Sequence, residues 1–529
     1  MRSITFAACA LAAGLMSAPA MAQHDHGAAP GPEANAANER VGTQYMVFET
    51  GIEGEANAHF LRGLALLHNF EYSRAADAFR ESQRAAPDFA MAYWGEAMTH
   101  NHPLWEEQDL EAARAILDRF APTREARRAK ANSARAAAWL DAVETLYGDG
   151  GDKETRDDLY LARMRALLAA DPQDIDARAF TGLAILGTSH GGRDTGLYME
   201  AAGVLEPGFM THEQHPGILH YLIHSYDDPI HAPLGERQAA RYALVAPDAG
   251  HAQHMVSHIY HALGDWRASE QANIKAVAAS EAARGSPFHC GHYNEWLVYA
   301  MVQQGKDASG NVEACRAQAA QELASDIRPS TTIAPRSAAT SFARIALSSG
   351  VTSDEWSKAL DWPEDQFLKA QFLMANARLL QGADDPAAIR SALSRMKQLN
   401  AAIIAAKPEE LPNDTGLAPW NARAIAQGEA LLMLATGKTE AGFAALRAAA
   451  EAESALPVVF GPPVIAKPSW ELLGERLLAQ GRAEEALHAF GQALRFAPNR
   501  KLSNQGISLA ASNAKPSEPH GNPIMRAER

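Results

Sequence analysis

Histidine is distributed unevenly along this chain. Nine of its 20 histidines (His212, His215, His220, His224, His231, His251, His254, His258 and His261) fall within about fifty residues. Imidazole nitrogen is a ligand for transition metals, best for zinc or copper, with nickel also in range. Pro216 suits a first helical turn, and His220 and His224, four apart, then share one helix face. His251, His254, His258 and His261 stand at offsets 0, 3, 7 and 10. At about 100° per residue these four rings fall within roughly 80° of one another. Two such helices side by side would set His220 and His224 against His254 and His258, a convergent set for a divalent ion. His251 extends the stripe. Beyond it, His292 and Glu295 could add a ligand or a partner that orients one, and Asp227, Asp228 and Asp248 are near enough in sequence to hold imidazoles.

Two other chemistries use the same residues. A metal-dependent enzyme would keep a coordination position open and move protons through Glu295, Asp228, Tyr221 or Tyr260. A metal-free scaffold would use the histidines as a polar lining for a protein or peptide. No nucleophile constellation or cofactor fingerprint specifies a reaction. His212-Glu213-Gln214-His215 is not a zinc-protease motif, because its histidines are three apart and Pro216 follows. Isolated histidines such as His59, His68 and His488 are expected to be surface residues or satisfied by a hydrogen bond.

The elements that must position these groups are helical repeats. Trp470, Leu473, Gly474, Gly481, Ala486, Phe490, Ala493 and Pro498 fall at tetratricopeptide spacing. Gly474 and Ala486 let two helices approach, Trp470 and Phe490 fill the space between hairpins, and Pro498 stops the second helix. Gly63, Ala75, Phe79 and Pro87 mark a second unit, and Gly264-Asp265-Trp266 another turn. Apolar residues recur at helical spacing elsewhere, and alternating strand patterns are absent. The fold expected is all-α: a right-handed superhelical solenoid of hairpins, with a concave groove lined by first helices. Such a groove binds a protein or peptide partner by shape. Punctuation suggests an N-terminal array over 41–172, histidine-rich central repeats over 173–310 and a C-terminal array over 311–511. Proline-rich connections interrupt the last near Lys407–Pro412 and Leu456–Pro468.

The ends and the overall charge bound the setting. Arg2, the apolar run Ile4–Leu15 and Ala20-Met21-Ala22 form a secretory signal over 1–22, with cleavage after Ala22. A polar tether over 23–40 and a disordered tail over 512–529 are expected. The pattern places the protein in the periplasm or outside the cell. No later stretch is apolar enough to span a membrane. A net charge of −15 excludes a general binder of nucleic acid or of anionic membrane. Cys290 and Cys315, the cysteines left after cleavage, are a disulfide candidate in an oxidising compartment.

Several segments resemble a family of bacterial secreted or periplasmic tetratricopeptide-repeat proteins with a histidine-rich centre and no assigned activity. They are Ala90–Met98 with His102-Pro103-Leu104-Trp105, His215-Pro216-Gly217 through Tyr226-Asp227-Asp228-Pro229, Ala246-Pro247-Asp248, His251–Met255 and Ser257-His258-Ile259. The repeat beginning at Trp470 also fits. The resemblance marks His220, His224, His254 and His258. The chain departs from it around His292, where the family tends towards a second histidine and this sequence has Glu295.

Overall fold

The hairpins follow from where the sequence places its small residues. Gly63 lies against Phe79, and Gly474 against Phe490; a Cβ on either glycine would sit 2.8 Å from the facing ring. Each pair lets the two helices of a hairpin close to backbone distance. The computed structural model describes residues 39–325, 337–354, 356, 367–406 and 417–514. Among them are 23 α-helices, stacked as successive antiparallel hairpins in an all-α, tetratricopeptide-type superhelix. The segment 1–38, on which the expected signal and most of the expected tether fall, lies outside the described residues, as do Lys407–Pro412 and the residues beyond 514.

The expected units take shape as Glu55–His68 with Tyr72–Ala85, Gly250–Leu263 with Trp266–Arg284, and Ser469–Ala479 with Ala483–Phe496. Asp265 caps the helix that begins at Trp266 by accepting from the Ala268 N–H at 3.0 Å. Gly264 takes the left-handed conformation, φ +70°, that ends the helix before it. One feature departs from the helical pattern. Asn101–His102 pairs antiparallel with Glu107–Gln108, a two-residue ladder too short for a period to register in the sequence. A further helix, Lys501–Asn513, follows the last repeat and covers its end.

Buried side chains from Val41 to Ala272 form one continuous core. Three more follow among the described residues, two spanning Cys290 to Ala377 and Phe372 to Ala510 and a small one of Ala276, Phe288 and Tyr293. The stack also closes on itself. From the N-terminal side, Tyr242 donates to the Asn69 side chain at 2.7 Å, and Asn69 donates to the Val41 carbonyl at 2.8 Å. From the C-terminal side, the Trp266 indole donates to the Asn499 carbonyl at 2.9 Å, and the Lys501 N–H donates to Gln303 at 2.9 Å. The central repeats are therefore enclosed from both directions. No described helix is long and apolar enough to cross a membrane.

Cys290 and Cys315 are joined in a disulfide that ties the start of the helix His292–Gln303 to its hairpin partner Ser309–Ala324. The unreduced mature protein is expected to show no free thiol in a quantitative assay. Cross-linking across a sequence separation of 25 residues restricts the unfolded chain, so reduction should cost about 3–4 kcal/mol. One free thiol pair and an unchanged melting temperature on reduction would contradict this.

Candidate metal centre

Three consecutive first helices, Pro216–Tyr226, Gly250–Leu263 and His292–Gln303, carry the histidines side by side. Their packing buries the rings: His220 and His254 are fully buried, His224, His251 and His258 nearly so, and His292 is exposed at the edge. The five buried rings form a closed circuit. Successive centroids are 4.9 Å apart from His220 to His224, 5.6 Å from His224 to His258, and 4.9 Å from His258 to His254. The circuit continues over 6.2 Å from His254 to His251 and 5.1 Å from His251 back to His220.

The arrangement differs in register from the expectation of four converging rings. The two helices are staggered, so His224 meets His258 while His220 faces His251 rather than His254. Among the described residues, no set of ligand atoms within 4.8 Å of one another contains all four of His220, His224, His254 and His258. Instead His220, His224 and His251 make one set, His254, His258 and His292 a second, and His224, Asp227 and His258 a third between them. His251 and His292 are thus full members of the cluster. Glu295 is not: its carboxylate turns away to Arg344 at 3.3 Å, and burial raises its pKa. His261 leaves the stripe as well, stacking on Tyr299 at 5.1 Å.

Outer hydrogen bonds set the tautomers. The His220 Nδ1 donates to the His68 carbonyl at 2.6 Å. The His254 Nδ1 donates to the Asn273 Oδ1 at 2.8 Å, and Asn273 is held in that sense by its own donation to the Ser269 carbonyl at 2.9 Å. The His258 Nδ1 donates to the Asp227 Oδ2 at 2.8 Å, and the His224 Nδ1 lies 3.5 Å from the same oxygen. With Nδ1 protonated, each ring presents a lone pair at Nε2, as in a metal ligand braced by an outer partner. The Nε2 atoms of His220 and His224 are buried without a hydrogen-bond partner. Those of His254 and His258 face each other at 3.1 Å.

The electrostatics favour neutral rings. Burial pushes the His258 imidazole down to about 4 and that of His220 well below its ordinary value. Burial alone would raise the Asp227 carboxyl, but the Arg193 guanidinium and the hydrogen bonds from His224 and His258 hold it far below the usual range. Arg193 is itself clamped between Asp227 and Asp228. Apolar and aromatic groups close the site: Phe70 against His220 at 4.3 Å, Trp296 stacked on His258 at 4.4 Å, and Phe460 over His258 at 4.9 Å.

Most of these outer partners carry no sequence signal. Asn273 lies on a second helix and Glu71, which accepts from the His251 N–H at 3.2 Å, comes from the N-terminal array. Phe460 belongs to the proline-rich connection that reads only as an interruption of the repeats. Asp227 and Asp228 do orient imidazoles, Asp228 holding His231 at 2.7 Å, whereas Asp248 pairs with Arg40. Tyr221 shares a hydrogen bond with His68 at 2.9 Å. His68 and His215 both reach the Asp176 Oδ1 at 3.3 Å. His215 also caps its helix through Nδ1 at 3.3 Å from the Ile218 N–H. That second histidine cluster is a buried network whose nitrogens are already engaged. His68 is satisfied as expected, though by partners more than a hundred residues away.

No protein-family model matches the chain. No curated protein matches it either. Among solved structures it is similar to the APC/C hetero-tetramer Cut9-Hcn1, at 12% identity over 90% of this chain and 79% of that one, TM-score 0.34. It is similar to a monomeric mutant of IFIT1 with Gppp-AAAA, at 10% identity over 90% and 94% of the two chains, TM-score 0.34. Yeast Tom70 follows at 9% identity over 88% and 90%, TM-score 0.30. Likenesses this distant say nothing about ligands or partners, so the functional reading rests on the site itself.

Proposed function

We propose that this protein is an exported tetratricopeptide-type repeat protein that binds a transition metal, zinc or copper, at His254 and His258. The observation that carries the reading is the 3.1 Å approach of their Nε2 atoms. Both rings have Nδ1 committed to an acceptor, so two lone pairs point at each other, which is unfavourable without a cation between them. Two nitrogens each about 2.0–2.1 Å from one ion would stand about 2.9 Å apart at a right angle and about 3.3 Å apart at the tetrahedral angle. The observed spacing lies between those limits. His292 offers a third nitrogen from the exposed edge, where an ion or water can enter. The remaining positions are left to solvent or an exogenous ligand.

This reading covers storage, delivery or a structural role, and also metal-dependent chemistry. Three of the four proton-transfer candidates are engaged elsewhere: Glu295 with Arg344, Asp228 with Arg193 and His231, and Tyr221 with His68. Protein or peptide binding, the other role suggested by the repeats, falls to other surfaces. Here the histidine-bearing helices are covered by the rings of Phe70, Trp296 and Phe460, so this face is not an open groove for a chain. The signal-like residues 1–22 and the Cys290–Cys315 disulfide support export to an oxidising compartment.

The test is elemental analysis of mature, tag-free protein purified without chelator, beside His254→Ala/His258→Ala. Zinc or copper near stoichiometry is expected in the wild type and its loss from this position in the variant. Equal metal content in the two proteins would remove the proposed centre.

A further inference from the structure

The same cluster contains a second set of donors that the centre at His254 and His258 does not use. His220, His224 and His251 bring ligand atoms within 4.8 Å of one another from two neighbouring helices. The Nε2 atoms of His220 and His224 are buried and accept no hydrogen bond. The His220 ring cannot turn to relieve this, because its Nδ1 is anchored to the His68 carbonyl at 2.6 Å. A buried acceptor of this kind costs free energy unless something occupies its lone pair. Aromatic packing by Phe70, 4.3 Å from His220, leaves little access for bulk water to do so.

We infer that His220, His224 and His251 hold a second transition-metal ion, making the cluster a two-ion centre of two three-histidine sets. The inference deepens the metal reading above and rests on it for the first ion. Asp227 links the two sets. Its Oδ2 faces the Nδ1 of His258 at 2.8 Å and that of His224 at 3.5 Å, so one carboxylate orients one ligand of each ion. Each set supplies three protein nitrogens and leaves positions open, the pattern of sites that take water or substrate rather than of closed structural sites. The charge balance points to the ligand class. Six neutral imidazoles contribute no charge, and Asp227 is already paired with Arg193. Two cations in a buried site therefore call for an anion from solvent, with hydroxide or another small bridging oxyanion the chemistry that fits.

The experiment titrates chelator-stripped mature protein with Zn2+, and separately with Cu2+, and counts bound ions after gel filtration. Wild type is expected to bind two ions. His220→Ala/His251→Ala and His254→Ala/His258→Ala should each bind one, with circular dichroism confirming the fold. The wild-type count needs no variant to fold, and one ion or none there overturns the two-ion centre. Two ions retained by His220→Ala/His251→Ala would also overturn it, by placing the second ion elsewhere. A wild type with one ion, lost only in His254→Ala/His258→Ala, would sink this inference and leave the proposed centre standing. No ion in any protein would sink both.

Discussion

Asp227→Asn is expected to weaken metal binding by about 10–100-fold, the usual cost of losing an outer-shell partner of a histidine ligand. The carboxylate now accepts from the His258 Nδ1 at 2.8 Å and lies 3.5 Å from that of His224, while its other oxygen meets Arg193. An amide has one oxygen to offer where the carboxylate had two. If that oxygen stays on Arg193, the amide NH2 faces His258 and forces its ring into the opposite tautomer. The proton then sits on Nε2 and blocks the atom that faces His254 at 3.1 Å. If the amide turns the other way, its NH2 opposes the guanidinium, which is left with Asp228 as its only carboxylate partner there, at 3.0 Å. Both outcomes harm the site, the first through the ligand and the second through the frame. Competition against a chromophoric chelator would read the affinity, and nitrogen chemical shifts of His258 would read the tautomer. Unchanged affinity with an unchanged tautomer would show that Asp227 does not set the ligand. His254→Ala/His258→Ala removes the donors themselves, so comparing the two variants separates ligand loss from misorientation.

The helix faces were legible because they depend on local spacing. A four-residue interval puts His220 and His224 on one side of any helix, and the offsets of His251, His254 and His258 do the same. The repeat units were legible for a related reason: Gly63 and Gly474 stand opposite Phe79 and Phe490, where two helices approach too closely for a Cβ. What spacing cannot supply is the stagger between neighbouring helices. That shift replaces one four-histidine point with two sets, and it depends on packing across the interface. The same limit explains Glu295, which shares a helix with His292 but faces the next repeat and Arg344. Closure of the superhelix was beyond reach as well. The His68 carbonyl meets His220 across 152 positions, and Phe460 meets His258 across two hundred more, contacts that leave no periodic trace.

Closure itself yields the largest stability effect. Arg500 is fully buried, donating to both oxygens of Glu471 at 2.8 and 2.9 Å, to the Tyr299 hydroxyl at 2.7 Å and to the Ala466 carbonyl at 2.9 Å. It thus joins the last repeat, the central array and the connection that carries Phe460. Burial raises the Glu471 carboxyl, but Arg500 and Lys467 outweigh it and hold the group below its ordinary 4.5. A carboxylate with a depressed folded pKa contributes stability that is fully present above the unfolded value, so this contribution is lost as pH falls below about 4.5. Arg500→Met should cost about 3–5 kcal/mol at neutral pH, since it strands a buried carboxylate. Arg500→Met/Glu471→Leu should cost far less, because no unpaired charge is left behind (Lys467 keeps Glu475 at 2.6 Å), and should flatten the acid limb of the stability profile. Hydrogen exchange across Ser469–Ala479 would follow the joint locally, which suits a repeat array better than one global transition. Metal release should be faster in Arg500→Met, since the segment placing Phe460 over His258 loses its tie at Ala466. If the single and double variants were equally destabilised, the joint would be held by packing rather than by the ion pair. If the single variant released metal no faster, Phe460 would not gate the site.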